Sequence, residues 1–233
     1  KIISTEELIK NTTFYKKDGT IDKFTSDEVK ETIGVETRMY AHSNEEVEDL
    51  ATISLNNCFE SSIVKRESID YVIVARISGD LIPSVASRAA KKAGLKKVIA
   101  PDITYGCQGW CFALKFADLL IKSGEAEKVA VVGAEILSRI RGKGRDSLLF
   151  SDGAGAIILG KFENDYPTGI LTTYAGGDVT QNEVLRMQDR FKPEEELIYS
   201  DNGKKDMYMD GKGVFRLAVT SMPETLDILL KKT

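Results

Sequence analysis

The stretch Asp102-Ile103-Thr104-Tyr105-Gly106-Cys107-Gln108-Gly109-Trp110 joins two different patterns. An apolar run rich in β-forming residues, Lys97–Ile103, leads into it, and a run with helical periodicity, Gln108–Lys122, leads out of it. A buried strand followed directly by a buried helix is the unit from which α/β folds are built. We therefore expect Cys107 to lie where such a strand ends and such a helix begins.

The same alternation continues along the chain and predicts helices packed on a largely buried sheet. The predicted strands are Tyr71–Ala75, Lys97–Ile103, Lys128–Ala134 and Ala154–Leu159, with Gly169–Thr173 beginning a second set. The predicted helices are Glu45–Ser61, Ser84–Ala93, Gln108–Lys122 and Val214–Leu230. Ser123-Gly124 is expected to end the third of them, which is predicted to be buried.

Two polar segments interrupt this pattern in the last third of the chain. Asn202-Gly203 stands between Leu197–Ser200 and Lys205–Met209 and predicts a β-hairpin, because both turn positions take positive φ. The turn-rich segment Phe162–Pro167 predicts a boundary that divides the chain into residues 1–165 and 166–233.

The composition indicates a globular protein of 233 residues, 42% hydrophobic and 29% charged. A formal net charge of −4 argues against a general nucleic-acid binder, which needs clustered Lys and Arg in excess. No apolar run approaches the roughly 18 residues of a membrane span. The polar start is not that of a signal peptide, so we predict a cytoplasmic protein. The sequence lacks an initiator Met and is expected to be clipped at both ends.

The chain has three cysteines and one histidine. An odd number of cysteines is a poor basis for a disulfide framework, and one histidine does not furnish a Cys/His zinc tetrad, so we predict no metal site. Cys58 recurs at helical spacing with Val47, Leu50, Ile53 and Ser54 and is interpreted as a core residue. The histidine, His42, lies in a polar stretch and is interpreted as a surface residue.

Cys107 is the candidate nucleophile. Its sulfur would face the unpaired N–H groups at the start of a helix, which stabilise a thiolate, the form of cysteine that attacks a thioester carbonyl. Gly106 and Gly109 let the backbone turn sharply and let a substrate approach. Two alternatives stay open: Cys107 is a small buried hydrophobe, or it forms a redox pair with Cys111 one helical turn later. A hydrolase nucleophile elbow matches weakly, because Tyr105 stands where its first glycine is required.

Two glycine-containing motifs invite a nucleotide-site interpretation that their context does not favour. Asp152-Gly153-Ala154-Gly155-Ala156 lacks the third glycine of a dinucleotide fingerprint and precedes a predicted strand, so we interpret it as a tight turn that supports the site. Arg141-Gly142-Lys143-Gly144-Arg145 lacks the Ser or Thr that follows a P-loop lysine. It is predicted to be a solvated loop or, alternatively, a contact for the phosphates of a substrate.

An ordered set of motifs resembles β-ketoacyl-acyl-carrier-protein synthase III. The set consists of Asp102–Trp110, Ala113-Leu114, Ala117-Asp118, Ile121–Gly124, Val131–Arg139 and Phe150–Ala156, with weaker similarity at Thr25–Glu28 and Met209–Arg216. The resemblance implies a thiolase-like α/β/α/β/α fold of two similar halves, of which the second is expected to be incomplete here. It also implies a homodimer.

The reaction implied by the resemblance is a decarboxylative condensation. An acyl group moves from coenzyme A to the cysteine, malonyl-acyl-carrier protein loses carbon dioxide, and its carbanion attacks the acyl thioester. Acyl-coenzyme A and malonyl-acyl-carrier protein are thus the expected substrates, acyl carrier protein is the expected partner, and no permanently bound cofactor is expected.

The resemblance also assigns roles to individual residues. The nucleophile falls on Cys107, whose backbone N–H is expected in the oxyanion hole. Arg145 matches an arginine at the coenzyme A entrance, and Arg216 matches a basic residue for docking of the carrier protein. Ile82 replaces an aromatic residue that lines the acyl pocket of the partner subunit. Phe150 and Met209 are candidate pocket walls, and Met209 and Gly211 are also candidates for binding the coenzyme A arm.

The chain departs from the family pattern in two respects. The family's catalytic histidine and asparagine belong to a later segment, which leaves a non-condensing acyl-binding or partner subunit as the alternative function. A tryptophan and an arginine that hold the adenine of coenzyme A correspond roughly to Val29 and Thr32. A donor carried on a protein, or an unusual acyl donor, is therefore an open possibility.

Overall fold

Ten strands and six helices, numbered in chain order, are found in residues 1–16, 19–161, 168–187 and 207–232, which are the residues that this computed structural model describes. The strands are β1 Ile2–Ser4, β2 Phe14–Tyr15, β3 Ile21–Asp22, β4 Thr37–Met39, β5 Tyr71–Ala75, β6 Asp102–Ile103, β7 Lys128–Ile136, β8 Asp152–Gly160, β9 Leu185–Met187 and β10 Met207–Met209. The helices are α1 Thr5–Asn11, α2 Ser26–Ile33, α3 Val47–Glu60, α4 Val85–Lys92, α5 Gly109–Lys122 and α6 Gly211–Leu230.

The chain divides into two compact units, each made of more than one stretch. The four-strand unit, which contains the four-stranded sheet, comprises residues 41–136 and 152–173. The two-strand unit, whose sheets have two strands each, comprises residues 1–40, 137–151 and 174–233. These units follow contacts in space, whereas the predicted boundary between residues 1–165 and 166–233 concerns two halves of similar fold. That boundary falls at Phe162–Pro167, outside the described residues, and stays a prediction.

A single mixed sheet with the order β6-β5-β7-β8 forms the centre of the four-strand unit. β5 pairs in parallel with both β6 and β7, and β8 runs antiparallel to β7 from Asp152 to Gly160. All five residues of β5 are buried, as expected of a strand covered on both faces. Parallel neighbours require helical crossovers, which α4 and α5 provide.

Helices cover both faces of this sheet. On one face, α3 and α4 pack with Val72, Val74, Ala130 and Val132 in a single apolar cluster. On the other face, Ala113 and Ala117 of α5 contribute to a second cluster with Tyr71, Ile73, Val129 and Val131. Since these alanines are fully buried and small, the axis of α5 can lie close to the strands. The position of α5 is thereby fixed by the sheet.

The two-strand unit is built around a smaller core of Leu8, Phe14, Val29 and Leu148. Its sheets are the antiparallel pairs β1–β4, β2–β3 and β9–β10. A buried arginine, Arg38, donates from Nε to the Leu148 carbonyl at 2.7 Å and from Nη1 to Thr5 Oγ1 at 2.6 Å. Desolvation lowers the pKa of Arg38. The hydrogen bonds offset part of the cost of burying this guanidinium.

The long elements of the central sheet agree with the sequence-based expectations to within a few residues. β5 has the predicted bounds, and α3, α4 and α5 each begin one or two residues inside the predicted ranges. The C-terminal helix begins earlier than predicted, at Gly211 instead of Val214. Gly124 adopts φ +80° directly after α5 and Ser123, which confirms the predicted stop signal.

Four expectations about secondary structure and burial are wrong. Gly169–Thr173 is not a strand, since Gly169 adopts φ +78° and no described strand pairs with the segment. Regular strand structure in Lys97–Ile103 is limited to Asp102–Ile103, with one isolated bridge from Ile99 to Tyr71. Asp152–Ala156 is not a turn but the first half of β8. Helix α5 is buried on one face only, because Phe112, Phe116 and Leu119 are exposed.

The predicted hairpin at Asn202-Gly203 lies outside the described residues, as does its first strand, Leu197–Ser200. Residues Met207–Met209 do form a strand. Its described partner is Leu185–Met187, with Met207 opposite Met187.

Candidate active site

Cys107 lies in the turn that joins β6 to α5, in the four-strand unit. The turn is a single 3₁₀ turn, Gly106–Gln108, which runs directly into α5 at Gly109. Gly106 adopts φ +59°, a left-handed conformation that side chains rarely take. A Cβ on Gly109 would lie 3.5 Å from Ala75 Cβ and 3.6 Å from the Ile103 carbonyl oxygen, so the helix begins in close contact with the strands. The predicted strand-to-helix junction is therefore confirmed.

The side chain of Cys107 is exposed, which excludes the alternative that it is a buried core hydrophobe. No side chain caps the N-terminus of α5, and its first turn contains no acidic residue. The first-turn N–H groups are consequently not bonded by a cap side chain. The rings of Tyr105 and Phe112 meet edge to face at 5.6 Å between centroids, and both residues are about half exposed.

Trp110 fixes the first turn of α5 against β7. A Cβ built on Gly133 would lie 3.3 Å from a carbon of the Trp110 ring, so the ring is in contact with the backbone of β7 at this glycine. A larger residue at position 133 would push the indole outward, and with it the helix turn that follows Cys107.

The other two cysteines have different surroundings. All three lie in the described part of the chain and are free thiols. Cys111 is exposed one helical turn after Cys107. Cys58 is half-buried on α3, so its interpretation as a core residue is correct only in part, and burial raises its pKa. Because a raised pKa disfavours the thiolate, Cys58 is a poor nucleophile.

Asp102, at the start of β6, connects the strand before Cys107 to α4. Its Oδ2 accepts from the Val85 N–H at 2.9 Å, and its Oδ1 accepts from the Ala86 N–H at 2.8 Å. Ser84 Oγ also accepts from the Ser87 N–H. These bonds satisfy first-turn donors of α4. The role of Asp102 could not be predicted from the sequence, because the two N–H groups that it bonds belong to residues 16 and 17 positions earlier.

Ile82 is the only predicted site residue besides Cys107 that belongs to the four-strand unit. It lies in the loop between β5 and α4 and is 88% exposed as a residue, beside Leu81 at 68%. Two adjacent exposed aliphatic side chains form an apolar tip, which we call the Leu81–Ile82 tip. This chain's own core does not cover the tip.

Arg145 lies in the two-strand unit, where its guanidinium contacts an acidic and an aromatic side chain. Its Nε is 3.5 Å from Asp22 Oδ2, and its Cζ lies 4.4 Å from the centroid of the Phe24 ring. Hydrogen bonds from Thr25, and to a smaller extent the charge of Arg145, lower the pKa of Glu28. Arg145 is thus already paired with a carboxylate and stacked on a ring.

Val29 and Thr32, which correspond roughly to the tryptophan and arginine that hold adenine in the family, cannot make the same contacts. Val29 is buried in the core of the two-strand unit. Thr32 donates its hydroxyl to the Glu28 carbonyl at 2.7 Å within α2. Neither offers an exposed ring or a cation. The Arg141–Arg145 loop is half-buried instead of solvated, since Arg141 Nη1 donates to Ser147 Oγ and the Lys143 carbonyl accepts from the Tyr15 N–H.

Gly211 and Arg216, two of the remaining predicted site residues, lie on α6 and line the same depression. An open depression of about 480 Å³ is lined by Gly211, Lys212, Phe215, Arg216 and Val219. Met209 ends the strand that precedes this helix, and Phe150 is half-buried directly after a 3₁₀ turn over Arg145–Leu149. Neither Met209 nor Phe150 lines the depression. Gly211 and Arg216 are therefore brought together, and a cation lies beside exposed apolar surface.

His42 is exposed in the segment before α3, as predicted, with its N–H donating to Glu45 Oε2 at 2.7 Å. Within the residues described above, no cluster of three or more His, Cys, Asp or Glu is arranged to hold a metal ion. In the same part of the chain, no helix is both long and apolar enough to cross a membrane.

Comparisons with known proteins identify the family. A family model for 3-oxoacyl-[acyl-carrier-protein (ACP)] synthase III matches residues 101–178, which include Cys107 and β8. A β-ketoacyl-[acyl-carrier-protein] synthase III of Laribacter hongkongensis is 31% identical over 230 residues, which cover 97% of this chain and 68% of the relative. One of Caldanaerobacter subterraneus is 34% identical over 213 residues.

The fold agrees with solved structures of the same name. The 3-oxoacyl-[acyl-carrier-protein] synthase III of Aquifex aeolicus superposes with a TM-score of 0.76 at 28% identity, over 99% of this chain and 67% of that one. The chain spans about 63% to 68% of the length of the first two curated relatives. The fold is thus thiolase-like, and the chain belongs to the β-ketoacyl-acyl-carrier-protein synthase III family.

Proposed function

We propose that the protein is an acyltransferase that begins fatty acid or polyketide-type synthesis by condensing an acyl thioester with malonyl-acyl-carrier protein. The observation that carries this proposal is the exposed Cys107 in the turn that opens α5. It lies at the start of α5, where no side chain caps the first-turn N–H groups, and its exposure makes the sulfur accessible to a thioester carbonyl. Family membership supports the same reaction.

The first step is transthioesterification. The Cys107 thiolate attacks the acyl carbonyl of the donor, and the oxyanion that forms is stabilised by backbone N–H groups that include that of Cys107. The tetrahedral intermediate collapses and expels the donor thiolate, which takes up a proton. The acyl group is then bound to Cys107 as a thioester.

The second step forms the carbon–carbon bond. Malonyl-acyl-carrier protein loses carbon dioxide, and the electron pair left on its α-carbon attacks the carbonyl carbon of the acyl-Cys107 thioester. The bond from carbonyl carbon to sulfur breaks, which releases the Cys107 thiolate and a β-ketoacyl-acyl-carrier protein. No permanently bound cofactor takes part.

The other site residues are assigned by position. Arg145, Met209 and Gly211 are proposed to contact the coenzyme A arm, Phe150 and Ile82 to line the acyl pocket, and Arg216 to dock the carrier protein. Ile82 acts across the interface of a homodimer, which its exposure supports. A cytoplasmic location also stays a prediction.

A non-condensing acyl-binding subunit is the second candidate function. The observation in its favour is that the single histidine, His42, is exposed in the four-strand unit, with its backbone bonded to Glu45. This histidine lies in the segment before α3, outside the turn that carries Cys107. Such a subunit would accept an acyl group on Cys107 and would not consume malonyl-acyl-carrier protein.

Peptide mass spectrometry of the full-length protein after incubation with an acyl-coenzyme A tests the assignment of Cys107. We expect the acyl mass on the peptide that contains Cys107. Cys107→Ser should reduce turnover by at least about 10³-fold, because loss of a covalent nucleophile removes the main route. Cys111→Ser is the matched control and should leave turnover nearly unchanged.

Equal loss of activity in both variants would support thiol redox chemistry instead. Turnover without a label at Cys107 would overturn the proposal. Adding malonyl-acyl-carrier protein to the acylated protein separates the two candidate functions, since only a condensing enzyme produces the β-ketoacyl product.

A further inference from the structure

The loop between β5 and α4 is bonded along its backbone by one buried cation, the guanidinium of Arg76. Arg76 directly follows β5, and its side chain is 2% exposed. Its Nη1 donates to the carbonyls of Ser78 at 3.2 Å and Gly79 at 3.1 Å, and its Nη2 donates to that of Asp80 at 2.7 Å. Three consecutive carbonyls are thus bonded by a single guanidinium. The next two residues of the chain are the exposed Leu81–Ile82 tip.

The same guanidinium is paired with Asp102, five positions before Cys107. Arg76 Nε and Nη2 lie 3.0 and 2.9 Å from Asp102 Oδ2. The carboxylate in turn accepts the first N–H groups of α4, which begins where the loop ends. Ser84 Oγ adds a bond to the Ala100 carbonyl at 2.7 Å. One buried ion pair therefore joins the loop to the strand that leads to the nucleophile.

Glu135 fixes the start of the same loop. Its carboxylate accepts from the Ile77 N–H at 2.6 Å, from the Ser78 N–H at 3.1 Å and from Ser78 Oγ at 2.5 Å. Burial raises the pKa of this carboxyl. Ser78 Oγ also accepts from the Ile136 N–H at 2.9 Å. The loop is consequently fixed at its first residues, along its middle and at its last residue.

Such an arrangement is more than is required to cap α4. Asp102 and Ser84 bond the first-turn N–H groups of α4 without Arg76, whereas the Nη1 and Nη2 bonds of Arg76 go to carbonyls that precede an exposed apolar tip. A planar fork with five donors can bond these carbonyls and a carboxylate at the same time, and a lysine ammonium cannot match that geometry. The bonds have the effect of presenting Leu81 and Ile82 in one defined position.

We propose that Arg76 is a positioning residue for acyl-chain selectivity, because it fixes the Leu81–Ile82 tip on the sheet of its own subunit and so sets where the tip meets the acyl pocket of the partner subunit. The proposal rests on the proposed function, in which Ile82 limits the acyl pocket. Arg76 does not touch the substrate and acts only through the tip. Loosening the tip should therefore change which acyl chains are accepted more than it changes the reactivity of Cys107.

The test is Arg76→Lys in the full-length protein. This variant keeps a cation beside Asp102 but loses the fork that bonds the loop carbonyls. We expect the ratio of kcat/KM for a long-chain over a short-chain acyl-coenzyme A to change by about ten-fold, as small displacements of a pocket wall produce. The rate of Cys107 alkylation by iodoacetamide should change less than about two-fold, because a substitution that does not contact the cysteine has only a small effect on it. Amide hydrogen exchange of residues 77–84 should be faster.

Arg66→Lys is the matched control. Arg66 belongs to the same unit and is half-buried, with Nε donating to the Ala93 carbonyl at 3.1 Å and its Cζ 4.8 Å from the Phe59 ring centroid. The Arg66→Lys variant should leave the selectivity ratio, kcat/KM for the long-chain over the short-chain donor, unchanged. Ser78→Ala is the milder second variant, in case Arg76→Lys does not fold. It removes the hydroxyl bond to Glu135 and should shift the ratio in the same direction.

The outcomes separate the two proposals. If the wild-type protein is acylated on Cys107 and both loop variants keep its selectivity ratio, the role of Arg76 is wrong and the proposed function stands. A uniform fall in kcat/KM for all chain lengths also contradicts the positioning role. If the wild-type protein accepts no acyl group on Cys107, both proposals fail.

Discussion

At the scale of single residues, Arg145 is the proposed coenzyme A contact whose neighbours bear most directly on binding of the donor. A guanidinium that binds the phosphates of coenzyme A has to be available, yet here it lies beside Asp22 and over Phe24. A partly exposed ion pair contributes only about 0–1 kcal/mol, so a phosphate can compete with Asp22 for the cation. Asp22 should therefore weaken binding of the donor without preventing it.

Asp22→Asn should lower the KM for acyl-coenzyme A up to about five-fold, which corresponds to releasing a pair of this strength, and should leave kcat nearly unchanged. Steady-state kinetics with acyl-coenzyme A and with a short thioester that lacks phosphates measure the effect. The short thioester should show no change. Asp27→Asn, on the exposed side of α2, is the control for the general effect of removing a negative charge. An equal change in KM for both donors would contradict a phosphate contact at Arg145.

At the scale of the elements, long elements could be predicted and short ones could not. β5 is a continuous run of five buried residues and α5 is long enough to show a helical period, and Cys107 could be placed because the helical pattern begins directly after it. The two-residue pairing of Phe14 and Tyr15 with β3 carries no period, and neither does β6. Arg76 is separated from Asp102 by 26 positions. Its role depends on how residues that are distant in the sequence pack together, and this packing cannot be inferred from a single sequence.

The contact between α5 and β7 gives a prediction at this scale. Gly133→Val should lower the free energy of unfolding by about 1–3 kcal/mol, because its Cβ would lie only 3.3 Å from a carbon of the Trp110 ring and the ring would have to shift in a packed interface. Acylation of Cys107 should also become slower, since the displaced indole belongs to the same helix turn. Urea denaturation and the acylation assay measure the two effects.

Gly153→Val is the matched control for that variant. Gly153 lies in β8, where a Cβ would meet nothing within 4 Å. The control should leave the acylation rate at the wild-type value. Wild-type stability of Gly133→Val would show that Trp110 can move at little cost, and the inferred link between β7 and the first turn of α5 would be wrong.

At the scale of the whole molecule, several large apolar side chains remain uncovered. They include Leu81 and Ile82 in the four-strand unit and Phe215, Met222 and Leu230 on α6 in the two-strand unit. Single exposed apolar residues are ordinary, whereas adjacent ones on a fixed loop indicate a binding surface. A homodimer in which each subunit lines the pocket of the other would explain why the tip is both apolar and firmly held.

Ile82→Phe should narrow the acyl pocket and shift the ratio of kcat/KM toward shorter acyl groups. Stability should change by less than about 0.5 kcal/mol, because the side chain lies outside the core of its own chain. Acyl donors of increasing length measure the shift. Ile63→Phe, at another fully exposed isoleucine, is the control and should leave the ratio unchanged.

Mixed dimers show whether Ile82 acts on the pocket of its own chain or of its partner. When Ile82→Phe is combined with excess Cys107→Ser, the functional Cys107 is paired with a partner that carries Ile82. Selectivity should then return to that of the wild type. The reverse mixture, wild type with an excess of the Cys107→Ser, Ile82→Phe double variant, should show the narrowed profile although every functional subunit has Ile82. Selectivity that follows the subunit with the functional Cys107 would contradict the contribution across the interface, because the substituted side chain would then act within its own chain.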